Sequence, residues 1–144
     1  MNGSEWVVEA HGCDPVRLGD VSSMNSLFDA IVRALRLNPV GEAHWHQFPS
    51  PGGVTGMLML AESHLTVHTF PEHASLCLNL FCCTPRPEWA WAERLAELVG
   101  AEEVRVRRLD RVYVTADGRR ETGDGRHPDP HPLQSSVSTL PSFL

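Results

Sequence analysis

The chain has 144 residues, 42% of them hydrophobic, which suits one domain built around a single core. A net charge of −6 argues against an electrostatic grip on nucleic acid or an anionic membrane and leaves small-molecule chemistry as the expectation. No apolar run approaches a bilayer span and the N-terminus lacks a basic segment followed by an apolar one, so a cytoplasmic location is expected.

In chain order, Glu5 to Ala10 alternates Trp6, Val8 and Ala10 against Glu5, Val7 and Glu9, the pattern of a half-buried strand. After an Asp14-Pro15 turn, Met24, Leu27, Phe28, Ile31, Ala34 and Leu35 recur at helical spacing, with Ser22 or Ser23 as cap and Asn38-Pro39 as stop. Residues 42 to 48 alternate again, Pro49, Pro51, Gly52 and Gly53 make a loop, and Val54 to Ala61 reads as a third strand. Strands over 64–70 and 76–83 are joined by a short connection at Pro71 to Ser75, which makes them a hairpin. A second helix is expected from Pro87, carrying Trp91, Leu95 and Leu98 on one face and Gly100 just past its end. Residues 102 to 114 complete the order β-α-β-β-β-β-α-β as a last strand, with Val104 and Val106 inward. Such an order predicts an α+β fold, a two-layer sandwich with helices on one face of a largely antiparallel sheet. The domain is expected to end near residue 115, because residues 116–144 turn to Gly, Arg, Asp, His, Pro and Ser and read as a flexible tail.

The chemistry concentrates in the run Glu62-Ser63-His64-Leu65-Thr66-Val67-His68-Thr69-Phe70-Pro71-Glu72. Alternation places His64, Thr66, His68 and Phe70 on one strand face, just downstream of Ser63. His44-x-His46 and His64-x-x-x-His68 invite a zinc reading, but adjacent Cys82 and Cys83 point to opposite faces and no paired ligand spacing exists, so no metal is expected. Cys13, Cys77 and Cys82 read as packing residues and all four cysteines as thiols. Every basic residue is arginine; without a lysine amine a pyridoxal cofactor has no resting Schiff base.

Glu-Ser-His, then His-Thr-aromatic-Pro-Glu, then Phe-x-Cys at this spacing resembles the bacterial and archaeal S-adenosylmethionine decarboxylase proenzymes. Gly12-Cys13-Asp14-Pro15 and Pro51-Gly52-Gly53-Val54-Thr55-Gly56 resemble two further segments of that family, so the likeness spans roughly residues 5 to 112. It implies self-cleavage between Glu62 and Ser63 into chains 1–62 and 63–144, with Ser63 becoming a pyruvoyl group that forms a Schiff base with the substrate amine. It further implies His68 as processing base, Thr55 standing where the family usually has a serine, and Cys83 as the thiol that protonates the product carbanion. Phe70 and Glu72 are implied substrate contacts, and the assembly a homodimer with sites near the subunit interface. The implied product is decarboxylated S-adenosylmethionine, for spermidine synthesis. The segment 73–84 departs from the family pattern by losing two tyrosines and, at Asn79, a carboxylate. A pyruvoyl-dependent arginine or ornithine decarboxylase is therefore the runner-up, and a non-catalytic relative that dimerises or binds a partner the reading of a different class.

Overall fold

The main helix begins on a cap that the periodicity did not single out. Asp20, in extended conformation, accepts from the Ser23 amide, and α2 (Val21–Leu35) follows a single short turn, α1 (Pro15–Leu18), which Asp14 caps through the Val16 amide. Ser22 and Ser23 lie inside the helix. An aspartate one position before the first helical residue satisfies a free amide and also complements the positive helix end. The helix stops at Leu35 because Arg36 turns left-handed, before the expected Asn38-Pro39 stop.

The structure, a computed structural model, describes residues 2–114 and 116–118. The strands are β1 (Asn2–His11), β2 (His44–Gln47), β3 (Val54–Leu60), β4 (Ser63–Phe70), β5 (Ser75–Cys82) and β6 (Glu103–Val112), with α3 (Trp91–Val99) between the last two. They form one antiparallel sheet in the order β2-β3-β4-β5-β1-β6. Consecutive strands β2 to β5 are neighbours, and β1 enters beside β5 to leave β6 and β2 as edges. The expected α+β sandwich is thus the observed fold. A second helix was expected from Pro87, but Pro87 to Ala90 lead into α3 without helical geometry. The expected tail lies outside the described residues, except for 116–118.

Alternation decides the layers. Trp6, Val8 and Ala10, Leu58 and Leu60, Leu65 and Val67, and Leu76, Leu78 and Leu80 point to the helices and are buried with Met24, Leu27, Phe28, Ile31, Leu35, Trp91, Leu95 and Val99. Gly56 is buried there too, and a Cβ on it would meet the Trp45 ring at 2.0 Å, so only glycine lets Trp45 cross β3 to reach Phe28, ring centroids 4.8 Å apart. The other face is bare. Met57 and Met59 are each 56% exposed there, His64 lies across from Met59, and Cys77 and, at the far edge, Arg105 and Arg107 of β6 share the face. Val106, expected inward, is 40% exposed because β6 is an edge strand, and its run of arginines guards that edge against pairing.

Candidate active site

β3 and β4 are joined by a two-residue turn, Ala61 and Glu62, closed by the pair Leu60 and Ser63. Turn residues normally face water. Glu62 does not; it is 7% exposed, and its carboxylate is bound from two directions. Oε1 accepts from the Asn38 amide at 2.9 Å and pairs with Arg86 Nη2 at 3.2 Å, while Oε2 accepts from Asn38 Nδ2 at 3.1 Å. The Glu62 carbonyl accepts from the Cys83 amide at 3.0 Å. Cys83 is held in turn by Tyr113, whose hydroxyl donates to the Cys83 carbonyl at 3.1 Å.

Ser63 follows with φ of 156°, a region L side chains rarely adopt, so backbone strain sits at the Glu62–Ser63 junction. Its Oγ lies 3.1 Å from His64 Nδ1. A hydroxyl, an adjacent imidazole and a carbonyl held by a backbone N–H are the parts needed for an oxygen nucleophile to attack the preceding carbonyl. Across the ladder, Ser63 pairs with Cys82, not Cys83. Cys82 is fully buried, and burial pushes its thiol up to about 11, with the Arg86 guanidinium pulling weakly the other way. Cys83, one residue past β5, is half-buried.

A second cluster lies at the far end of β4. His68 Nδ1 is 2.7 Å from Thr55 Oγ1, its cross-strand neighbour on β3. Phe70 meets the imidazole edge-on at 4.5 Å and Phe48 at 5.8 Å. Thr55 and His68 border an open depression of about 480 Å³ on the bare face, lined also by Met57, Thr66, Cys77 and Asn79 among others. Cys77, expected in the packing, is exposed there opposite His68. Asn79 donates to Glu5 Oε1 at 2.8 Å. Glu72 is exposed in the 3-10 turn Pro71–His73.

The structure therefore brings Ser63 together with Glu62 and Cys83, and Thr55 with His68, but holds the two groups apart. Five residue steps along β4 separate Ser63 from His68, about 17 Å at about 3.3–3.4 Å per residue. Sharing a strand face does not bring the His68 imidazole to the Ser63 hydroxyl within one chain. Sequence reasoning assigned His64 no step of the reaction and passed over Asn38 and Arg86. Adjacency to Ser63 was a signal for the first; nothing local signalled the other two, which reach Glu62 through the fold.

The model of the S-adenosylmethionine decarboxylase family matches residues 4–112. An S-adenosylmethionine decarboxylase proenzyme of Geobacillus kaustophilus is 34% identical over 101 residues, 69% of this chain and 79% of that one. One from Pyrococcus horikoshii is 38% identical over 81 residues, 56% and 57% of the two chains. The crystal structure of the adenosylmethionine decarboxylase from Aquifex aeolicus superposes with a TM-score of 0.66 over 79% of this chain and 93% of that one, at 24% identity, and shares the fold. The chain belongs to the S-adenosylmethionine decarboxylase family.

Proposed function

We propose that the chain is a proenzyme that cuts itself between Glu62 and Ser63 and then decarboxylates S-adenosylmethionine, supplying the aminopropyl donor of spermidine synthesis. The observation that carries this is the 3.0 Å hydrogen bond from the Cys83 amide to the Glu62 carbonyl. Negative charge would develop on that oxygen if the Ser63 hydroxyl attacked the carbonyl, and a fixed N–H aimed at it lowers the cost. The names of the relatives, decarboxylase and proenzyme, support the same reading.

Ser63 Oγ adds to the Glu62 carbonyl carbon, the C–N bond breaks as the C–O ester forms, and the proton passes from Oγ to the Ser63 nitrogen. Loss of the Ser63 α-proton then breaks the Ser63 Cβ–Oγ bond and expels Glu62 as a new C-terminal α-carboxylate, and water replaces the nitrogen of the resulting dehydroalanine to leave a pyruvoyl group and ammonia. That carbonyl, when formed, supplies the electron sink for decarboxylation. Ser63 at the head of β4, next to the buried Glu62, suits such a group, and the Cys83 thiol is the proposed proton donor. Phe70 offers an aromatic face to the sulfonium cation, and Glu72 a carboxylate at the rim.

The distance between His68 and Ser63 leads to a homodimer as part of the proposal. The bare face exposes Met57 and Met59, and a half-covered antiparallel sheet is suited to meeting a second copy. A two-fold axis lying in that interface and crossing β4 near Thr66 lays one chain's Thr55–His68 end over the partner's Ser63 end. His68 then acts as processing base in the other subunit's site. No helix among the described residues is long and apolar enough to cross a membrane, and we place the enzyme in the cytoplasm.

The test is intact mass together with carbon dioxide release. The reading requires pieces 1–62 and 63–144, the latter blocked at its N-terminus, and labelled gas from carboxyl-labelled S-adenosylmethionine. Release from arginine or ornithine instead moves the assignment to another substrate; an active, wholly uncut preparation refutes it.

A further inference from the structure

The Glu62 carboxylate does work that neither nucleophile nor base explains. A glutamate in a two-residue hairpin turn gains nothing from burial, since taking a carboxylate out of water is costly unless it is paired and hydrogen-bonded. Here it is both, and the partners come from far away in sequence. Asn38 sits just beyond the end of α2, where its backbone also receives the turn, Ala61 N–H donating to the Asn38 carbonyl at 2.8 Å. Arg86 lies in the loop after β5, and its Nη1 donates to the Arg36 carbonyl at 3.0 Å, at the negative end of α2. The guanidinium thus ties the end of α2 to the tip of the β3–β4 hairpin, three residues beyond the Cys83 amide that holds the Glu62 carbonyl.

We propose that Arg86, together with Asn38, is a positioning residue for self-cleavage, locking the Glu62 side chain so that its carbonyl stays on the Cys83 amide and in front of the Ser63 hydroxyl. The inference rests on the self-cleavage proposed above. Glu62 is gripped at both ends, by side chain and by carbonyl, and the peptide between it and Ser63 has little freedom left. The attack needs that restriction, because the new C–O bond forms only when Oγ and the carbonyl carbon meet at bonding geometry while the oxygen keeps its N–H donor. Arg86 touches none of the reacting atoms; it acts through Glu62. Cleavage afterwards adds a second carboxylate, the new α-carboxylate, to the residue Arg86 holds, and in the uncut protein Arg86 Nε is buried without a hydrogen-bond partner among the described residues. Arg86 belongs to the second product chain and Glu62 to the first, so the pair also bridges the cut.

The experiment follows cleavage by intact mass after synthesis of the parent, Arg86→Met, Arg86→Lys and the double variant Glu62→Gln/Arg86→Met, with melting temperatures taken in a Ser63→Ala background. A misplacement of about an ångström costs on the order of 10²-fold in rate, so Arg86→Met should slow cleavage about 10–100-fold and Arg86→Lys recover part of the loss. Should Arg86→Met fold poorly because it strands a buried carboxylate, the double variant removes that charge. It should regain the melting temperature without regaining the cleavage rate. Hydroxylamine should release no extra fragment from either variant, since the block falls before the ester forms. Parental cleavage in Arg86→Met, a double variant that recovers rate along with stability, or fragments released by hydroxylamine would each overturn the assignment. A parent chain that never cuts fails self-cleavage itself; a parent that cuts beside variants that cut equally well fails only the role of Arg86.

Discussion

Mixing two inactive chains should restore cleavage to one of them. A general base must come within about 3 Å of the proton it takes, and His68 lies about 17 Å along β4 from Ser63 of its own chain. Ser63→Ala keeps His68 but has no nucleophile; His68→Ala keeps Ser63 but has no base. A heterodimer of the two holds one complete site, made of Ser63 from the His68→Ala chain and His68 from its partner, and one site lacking both. With equal expression and random pairing about half of all chains sit in heterodimers, so about half of the His68→Ala chain should be cut and none of the Ser63→Ala chain. Distinguishable tags and intact mass give the two fractions directly. An uncut His68→Ala chain in the mixture, or one cut as readily alone, refutes the base acting across subunits. If His64→Ala by itself then blocks cleavage, the base is the imidazole 3.1 Å from Ser63 Oγ in the same chain.

Gly56→Ala should lower the melting temperature by several degrees, because the new Cβ falls 2.0 Å from a Trp45 ring packed on Phe28, and overpacking of this kind costs about 1–3 kcal/mol; an unchanged melting curve would mean Trp45 moves freely. Burial pushes the Cys13 and Cys82 thiols up to about 11 from an ordinary 9.0. The unfolded chain therefore ionises first as the solution turns alkaline, and stability held below pH 9 should decline between about pH 9 and 11; a melting temperature that stays flat over that interval contradicts it. Phe70→Leu should raise the KM for S-adenosylmethionine several-fold with cleavage unaffected, as expected for loss of an aromatic face worth about 0.5–2 kcal/mol to a cation; an unchanged KM would remove Phe70 from the substrate site.

Strand periodicity carried most of the fold, because half-buried strands alternate and Trp6-Val8-Ala10 or Leu76-Leu78-Leu80 do so without interruption. The start of α3 was misjudged because Pro87 is a favourable first residue that tertiary packing did not use, and the cap of α2 because three candidates, Asp20, Ser22 and Ser23, stand within four residues. The turn at Ala61 and Glu62 was legible as a place, through Glu-Ser-His, but not as a geometry. Alternation set Cys82 and Cys83 on opposite faces without saying that the ladder pairs Ser63 with Cys82 and brings Cys83 in through its main chain. It also put His64 and His68 on one face without stating how far apart they lie. The clamp on Glu62 was invisible because Asn38 and Arg86 stand 24 residues from Glu62 on either side, and only the packing of α2 against the sheet joins them.

Cys83 separates the making of the reactive group from its use, because its main chain and side chain are assigned to different steps. The amide N–H holds the Glu62 carbonyl at 3.0 Å, and the thiol is the proposed acid for the decarboxylated carbon. Cys83→Ala keeps the amide, so cleavage should proceed at close to the parental rate. Turnover should fall by about 10²–10⁴-fold, the usual cost of losing a general acid. Protons delivered to the wrong carbon should also convert the pyruvoyl end to alanine over successive turnovers, visible as a mass change on the 63–144 chain. Cys83→Pro removes the N–H and should leave the chain uncut, while a retained cooperative melt shows that the fold survives. Cys82→Ala is the control: its side chain points into the core, so it should lose some stability and keep both steps. Slow cleavage in Cys83→Ala with full activity in the fraction that does cut would reverse the assignment, placing the side chain in processing and freeing it from the decarboxylation.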